Sequence, residues 1–507
     1  MVATTTKSNG GTPSMGKWLL MFFIAGDNDL SALFVDQLKA LKDAGFAKHV
    51  EVVVRFDPNQ PDVKTRTFNV NRERKKRPDA PSIQVGDGQD PFVHNMSDDF
   101  VRADKEEPAP AALNRFIVDS LKDHRGARHH MLFLLGHGLI VGNDTFLPDD
   151  SPKSGIKLKE LGRILRKHFG SRGSLELLGL HSCAMSGIEV LYELQGTAKY
   201  MVASEGLSFV NGWPYRQLMK RFLNGLRRNE FVEKIVEKLY WLTFFNAKDF
   251  LLAGFPLELS LISLDPRKVD RLTGKMKSLV RLLKRALAAD DGRSAIQLAH
   301  LESQSYFGEL YTDLYDFCLC LQRKCQGNPQ LTALGTACSE VIDELEPVRG
   351  TRRHEVLKRF RALIIHSNYF GWRFQYSRGL SIFFPWIEPR RNAKKGEQAF
   401  ELYKDYQFTR ALGSESWLTF LNAYIEKTKR VAREQEDSDR NQANRFTEIN
   451  RISGFEIPTN IREAINALEP PDKPTGASDK PTGGSDASCD CPEIKNFPKD
   501  DGGLPVV

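Results

Sequence analysis

Two side chains in this sequence stand where nucleophilic chemistry is feasible. His137 closes the apolar run MLFLLGHG (131–138), and Cys183 closes the apolar run LELLGLHSC (175–183). A thiol of pKa about 8.5 is only a few per cent thiolate near neutrality. A neighbouring imidazole raises that fraction and can later protonate a departing amine. The two lie 46 positions apart (183 − 137), room for one crossover helix between adjacent parallel strands. Gly138 lets the chain turn closely, and its amide, with that of Cys183, suits an oxyanion. The competing reading is a structural cysteine and an unrelated loop histidine, in a chain with eleven histidines. The shared strand-end position and the flanking glycines weigh against it.

Both side chains reach one sheet edge only if their strands are parallel and adjacent. Apolar runs at Trp18–Gly26, Val50–Asp57, Met131–Gly138, Leu175–Cys183 and Lys199–Ser204 read as strands, with Arg66–Val70 as a short hairpin arm. Between them, amphipathic stretches predict helices over Asp29–Ala44, 110–124, Leu158–Phe169 and Met185–Leu194. Continuous apolar strands separated by helices imply a mostly parallel α/β sheet covered on both faces, with its ligand site beyond the carboxyl ends of the strands. Further on, Leu257–Leu264 and Gly379–Pro385 read as strands, while Phe231–Asn246, Arg267–Ala288, 295–345 and 354–366 read as helices. The expected organisation is a flexible start (1–15), a core (16–425) with an inserted helical region at about 267–366, a charged helical segment (426–468) and a disordered tail (469–507). The tail carries the tandem repeat DKPTGAS–DKPTGGS (472–485), whose composition cannot bury a core.

Composition narrows the function classes. Apolar residues at 41% and charged residues at 27% are those of a globular chain, which excludes collagenous, wholly disordered and membrane-embedded classes. A net charge of +7 (72 − 65) with no dominant basic block argues against nucleic acid as partner. Seven irregularly spaced cysteines are too few for a disulfide scaffold, and the Trp18–Ala25 run is too short for a leader or a membrane span. Together these predict a cytoplasmic protein with no membrane association. GHGLIVG (136–142) lacks the third glycine of a dinucleotide loop, and Cys318, Cys320 and Cys325 lack zinc spacing and read as core cysteines. The basic run 71–77 reads as a solvated loop.

In this order, several motifs resemble one known family. Gly136-His137-Gly138 after an apolar strand resembles the histidine motif of the caspase-like cysteine peptidases. LGLHSCAMSGIEVLYEL (178–194), YMVASEG (200–206) and GWPY (212–215) resemble the clostripain family, peptidase family C11. FIAGDNDL (23–30), HNM (94–96), LISLD (261–265), DLYDF (313–317) and GLSIFFP (379–385) continue the match, so the resemblance covers about 18–386. It implies a caspase–hemoglobinase-like sheet flanked by helices, a Cys183–His137 dyad, and endopeptidase action on protein or peptide substrates. Gly138 and Cys183 would supply the oxyanion amides, and His181, Ser204, Glu205, Asn211 and Trp213 would line the substrate cleft.

One position departs from the family pattern. Members that cut after Arg or Lys carry Asp two residues before the nucleophile; here that residue is His181. Residues two apart on a strand share a face, so His181 is expected at the pocket floor, with Glu205 as the remaining acid for a basic P1 side chain. No cofactor is expected. Some relatives depend on calcium, and Asp144, Asp149 and Asp150 cluster after His137, but no Asp-x-Asp-x-Asp-Gly loop is present and a solvated loop is preferred. Relatives mature by cleavage in this region, which makes Lys153-Ser154 the candidate processing site of a zymogen, and an activating or inhibitory protein a candidate partner. Two rival readings are a dead protease-like scaffold and a metal hydrolase using His129, His130, His137 and His181.

Overall fold

The computed structural model describes residues 17–28, 30, 34, 37–38, 40–41, 49–58, 65–70, 101–103, 107–138, 146–150, 153–170, 175–228, 230–246, 257–307, 309–346, 356–387 and 399–439. The expected flexible start, the basic run, Asp144, the segment from 440 on and the repeat tail lie outside these residues. Contacts divide the chain into Met1–Thr428 with Pro505–Val507, and Lys429–Leu504. The elements below belong to the first unit.

In chain order the strands are β1 (Lys17–Gly26), β2 (Val50–Pro58), β3 (Arg66–Asn69), β4 (Val101–Ala103), β5 (Ala127–Leu135), β6 (Phe146–Asp150), β7 (Lys153–Ile156), β8 (Leu175–His181), β9 (Ala198–Ala203), β10 (Leu257–Ser263), β11 (Ser305–Tyr306), β12 (Tyr311–Asp313), β13 (Ile364–Phe370) and β14 (Ser381–Phe383). Nine of them form the main sheet, in the order β13-β10-β9-β8-β5-β1-β2-β3-β4. The five central strands, β2 to β9, are mutually parallel. β3 and β10 are reversed, and β4 and β13 run with the centre again.

The central strands are apolar throughout because both faces are covered. On β1, Leu19, Met21 and Phe23 enter one core while Trp18, Leu20, Phe22 and Ile24 enter the other, the two-residue period of a pleated strand. The first core is closed by helices α1 (Ala109–Asp123), α2 (Leu158–Phe169) and α3 (Ile188–Leu194) and by helices of the C-terminal half. The second is closed by α4 (Tyr215–Arg227) and α5 (Val232–Asn246), with the apolar positions Leu30, Phe34, Leu38 and Leu41. Gly179 permits this packing on β8. A Cβ there would stand 2.4 Å from the Phe133 ring and 3.1 Å from Trp213.

Three local expectations are corrected and one is located. The stretch 354–366 is not one helix: after a short turn at Val356–Arg359, β13 begins at Ile364 and forms the sheet edge. Its polar His366, Ser367 and Asn368 hid the strand, but an edge strand tolerates such residues. The helical reading of 295–345 is interrupted by the hairpin β11–β12, after which Leu314–Lys324 resumes as helix, capped by the Asp313 side chain. The GLSIFFP strand forms as expected: it is β14, which pairs with β12 in a second, three-stranded sheet. The stretch read as a loop after His137 contains the hairpin β6–β7.

Candidate active site

β5 and β8 pair in parallel, and the last register is Leu135 against His181. Two further residues along each chain bring His137 beside Cys183. Gly138 makes the approach close. A Cβ built on it would fall 1.7 Å from the Cys183 carbonyl oxygen and 2.7 Å from the Cys183 nitrogen. No other residue type fits there. Gly136, with φ +153°, has the turn's other demand: its Cβ would meet Leu147 at 2.7 Å. The hairpin β6–β7 then anchors the histidine, Leu147 N donating to His137 O at 3.1 Å. Asn28 ties this hairpin to the end of β1, donating to Ala25 O and Pro148 O at 3.0 and 3.2 Å. His137 is half-buried and Cys183 buried.

The chain turns abruptly after Cys183. Ala184 sits at φ 57°, a left-handed conformation uncommon for a residue with a Cβ, and it delays α3 to Ile188 instead of the Met185 expected. The turn is over-determined by its bonds. Ala184 N donates to Gly206 O (3.0 Å), Ser186 N to Ser204 O (2.8 Å), and Ser186 Oγ to Gly379 O (2.7 Å). Ser381 N donates to Ser186 O at 2.9 Å. With the Ala184 amide so engaged, it cannot serve an oxyanion. At the sulfur, Ser208 N donates to Cys183 Sγ at 3.3 Å.

The residues expected to line a substrate cleft are placed differently. His181 is fully enclosed: its ring stacks on Trp213 (5.0 Å, 15°), Nε2 lies 2.7 Å from Phe209 O, and Nδ1 lies 3.0 Å from the Tyr215 hydroxyl. Nε2 is thereby the protonated nitrogen. Burial pushes the pKa down to about 4, the Phe209 carbonyl opposing, so the ring is neutral. Both polar atoms are spent on the chain, and His181 is a packed strand-end histidine rather than an open pocket floor. Trp213 is buried on the same stack. Ser204 is buried and donates to Glu258 O at 3.1 Å, and Glu205 is fully buried, accepting from Gly379 N at 2.9 Å. Facing a P1 guanidinium would require Glu205 to leave that bond and the interior. Asn211 lies in the turn Val210–Gly212.

Lys153 is exposed on β7, and Ser154 Oγ accepts from Ala109 N at 3.0 Å, so the candidate processing bond lies within a hairpin. Asp149 is buried and Asp150 exposed, on successive positions of β6. Successive strand residues face opposite ways, so these two carboxylates do not converge on one cation. The metal-hydrolase reading fails on distance. His129, near the start of β5, and His137, two residues past its end, are eight residues apart, about 25 Å in extended chain. Cys318, Cys320 and Cys325 are buried free thiols, and burial raises Cys320 to about 11 and Cys325 to about 12.

Residues 22–385 match the clostripain family. The chain belongs to the clostripain family. As a member it is a cysteine peptidase, with peptide or protein substrates, on a caspase-like α/β fold. Solved structures similar to it include an inactive zymogen C11 protease from Parabacteroides distasonis (16% identity, TM-score 0.48, covering 79% of this chain and 99% of that one). Two others are of a secreted C11 cysteine protease from Bacteroides thetaiotaomicron. One is in complex with an irreversible peptide inhibitor (15%, 0.47, 81% and 99%) and the other is called iotapain (12%, 0.48, 81% and 100%). Among curated proteins none matches.

The expectation of a cytoplasmic protein is corrected. The similar proteases from Bacteroides thetaiotaomicron are secreted, and a low cysteine count does not separate the two settings. Among the described residues no helix is long and apolar enough to cross a membrane. Two of the family motifs now have physical roles, while HNM (94–96) lies outside the described residues. FIAGDNDL supplies Asn28, which fixes the hairpin behind His137, and GLSIFFP supplies Gly379 and Ser381, which hold the turn after Cys183. Ser186 and Glu258 carry no catalytic spacing and were missed as supports. The Ser-Gly-Ile step after Cys183 was the only local signal for Ser186, and Glu258 had none.

Proposed function

We propose that Cys183 and His137 are the catalytic dyad of a clostripain-type endopeptidase. The observation that carries this reading is the β5–β8 register, with Gly138 pressed against the Cys183 backbone. In the reaction, Cys183 Sγ attacks the scissile carbonyl carbon and the carbonyl π electrons move to oxygen. The amides of Gly138 and Cys183 are the donors proposed for that oxyanion, the Ala184 amide being committed to Gly206. His137 holds the thiol proton and delivers it to the leaving amine as the C–N bond breaks, leaving a thioester. Water, deprotonated by His137, then releases the acid and restores the thiol.

The test is labelling with a peptidyl acyloxymethyl ketone, followed by mass mapping. Adduct on Cys183, absent in Cys183→Ala and strongly slowed in His137→Ala, supports the dyad. Adduct elsewhere, or none on folded protein, sinks it in favour of an inert scaffold. Maturation by cutting is proposed at Lys153–Ser154. A substrate strand must leave its own ladder to enter a protease cleft, so the β6–β7 hairpin would have to open first. An amino terminus beginning at Ser154 in wild type and missing in Cys183→Ala supports self-processing. A fully active, uncut chain removes it.

A further inference from the structure

Behind the turn that carries Cys183, three carboxyl groups meet in the interior. Glu205 follows β9, Glu258 lies in β10 and Asp313 ends β12, and they are 0, 2 and 0% exposed. Glu205 and Asp313 approach closely enough to share a hydrogen bond when one of them holds a proton. The other oxygens receive main-chain amides. Gly206 N donates to Glu258 Oε1 (2.8 Å), Gly379 N to Glu205 Oε2 (2.9 Å), Arg378 N to Asp313 Oδ2 (2.5 Å) and Asp316 N to Asp313 Oδ1 (2.8 Å). Glu205 Oε1 and Glu258 Oε2 are buried without a donor.

The two glycines so held are the ones that hold the nucleophile. Gly206 takes a carboxyl at its nitrogen and offers its carbonyl to Ala184 N; Gly379 does the same toward Ser186 Oγ. Each link runs from an acid, through one peptide unit or its neighbour, to the Cys183 turn. Among the described residues no cationic side chain is hydrogen-bonded to any of the three acids. Arg378 lies over the Tyr315 ring (5.7 Å) and acts electrostatically on Asp316, which itself accepts from Gln304 N (2.8 Å). The neighbouring Tyr306 and Tyr240 hydroxyls are bonded to Ser377 and to Leu259 O and Asn368. Carboxylates at this depth and without a counter-charge cannot all ionise. Burial raises all three; repulsion from Asp313 and Glu258 adds to it at Glu205, and from Asp313 at Glu258, while at Asp313 the main-chain amides and the hydrogen bond with Glu205 oppose it.

We propose that Glu205, Glu258 and Asp313 form a proton-holding brace that fixes the Gly206 and Gly379 backbones and through them the position of Cys183. They are positioning residues for the reaction, and the inference rests on Cys183 being the nucleophile. The direction of its pH dependence follows from proton counting. The folded cluster retains protons that the unfolded chain gives up above about pH 4.5, so the native state binds more protons in that range. The brace is therefore complete on the acid side and loosens as pH rises toward about 8, the value to which Glu258 is raised.

The experiment uses Glu258→Gln, which keeps an acceptor for Gly206 N but cannot ionise, beside Glu258→Ala, which removes the acceptor. Glu205→Gln is the second conservative variant, in case Glu258 proves intolerant. In a Cys183→Ala background, the thermal midpoint is followed from pH 5 to 9. The expected result is a decline from about pH 5 that levels off above about pH 8 and that either Gln variant reduces to less than half. In the active chain, either Gln variant should move the alkaline limb of the kcat/KM profile upward by about one pH unit and leave the acid limb in place, while Glu258→Ala loses about tenfold at every pH. Midpoint–pH curves identical with and without the Gln substitutions would overturn the proposal, as would full kcat/KM in Glu258→Ala. The thermal arm needs no activity, so a failure of the dyad reading is seen separately, in the labelling of Cys183.

Discussion

Strand β5 begins beside His129 and leads to His137, and the neighbouring strands β5, β8 and β9 bring ionisable groups to both edges of the sheet. At the amino edge His129 stacks on Trp18 (4.5 Å, 21°), and its Nδ1 lies 2.8 Å from Glu176 Oε1 on β8. Glu176 Oε2 in turn meets Lys199 Nζ of β9 at 2.7 Å. At the carboxyl edge β5 leads to His137, β8 to Cys183 and β9 to Gly206. The first constellation is a closed row of an imidazole, a carboxylate and an ammonium. The second is a sharp turn whose amides and carbonyls are fixed by a buried frame, with a thiol and an imidazole beside it. Residue type alone therefore does not distinguish them. What differs is that strands of a parallel sheet turn into loops and helix starts at their carboxyl ends, where backbone N–H groups gather.

Breaking the carboxyl edge should have the largest effect. Cys183→Ala and His137→Ala are each expected to lower kcat by about 10³-fold or more, with the double variant little worse than either, because dyad members act as a unit. Retention of more than a tenth of wild-type turnover by Cys183→Ala, in a peptide-cleavage assay, would end the mechanism.

A pair of glycines compares the two edges directly. Gly138→Ala sets a methyl against the Cys183 carbonyl, while at Gly126, before β5, a methyl meets only the Lys17 side chain at 3.6 Å. Gly138→Ala should reduce kcat/KM by about 100-fold, the scale of a misplaced reacting group, and Gly126→Ala should leave both activity and thermal midpoint near wild type. Equal effects would mean that the carboxyl edge is no more constrained than the other.

Acid should reveal the buried His181. Its value of about 4 lies below the ordinary 6.5, so the native state resists a proton that the unfolded chain accepts. Its stabilising contribution is complete above pH 6.5 and is lost as pH falls toward 4, roughly 3 kcal/mol over the range. Urea unfolding at pH 7 and pH 4.5 should show a smaller acid loss in His181→Gln than in wild type; an unchanged loss would mean that the ring is not held neutral. The smallest effect is expected at the amino edge. His129→Ala, half open to solvent and paired at the surface, should cost about 1 kcal/mol or less and leave kcat/KM within twofold. A large loss of activity there would erase the contrast between the edges.

Local pattern was enough for the parallel centre of the sheet and for the placement of His137 and Cys183 at strand ends. Strands covered on both faces are apolar without interruption, and that run can be read residue by residue, as in WLLMFFIAG and LELLGLHSC. It did not extend to β13, whose polar residues suit an edge strand and imitate a helix face, nor to the β6–β7 hairpin, where Leu147 takes φ 50° against its type. The side chains thought to line the cleft show the same limit. His181 and Glu205 stand at the expected positions in the chain, but whether a strand-end side chain meets solvent or its own fold depends on what arrives from far away. Trp213, Tyr215 and Phe209 close over His181, and Gly379, 174 positions along the chain, donates to Glu205. Chemistry at a strand end is written in the local sequence because periodicity and turn residues act over a few positions. The enclosure of a polar group is decided by long-range contacts, and only the tertiary structure shows which strand-end side chains face solvent and which are bonded to their own fold.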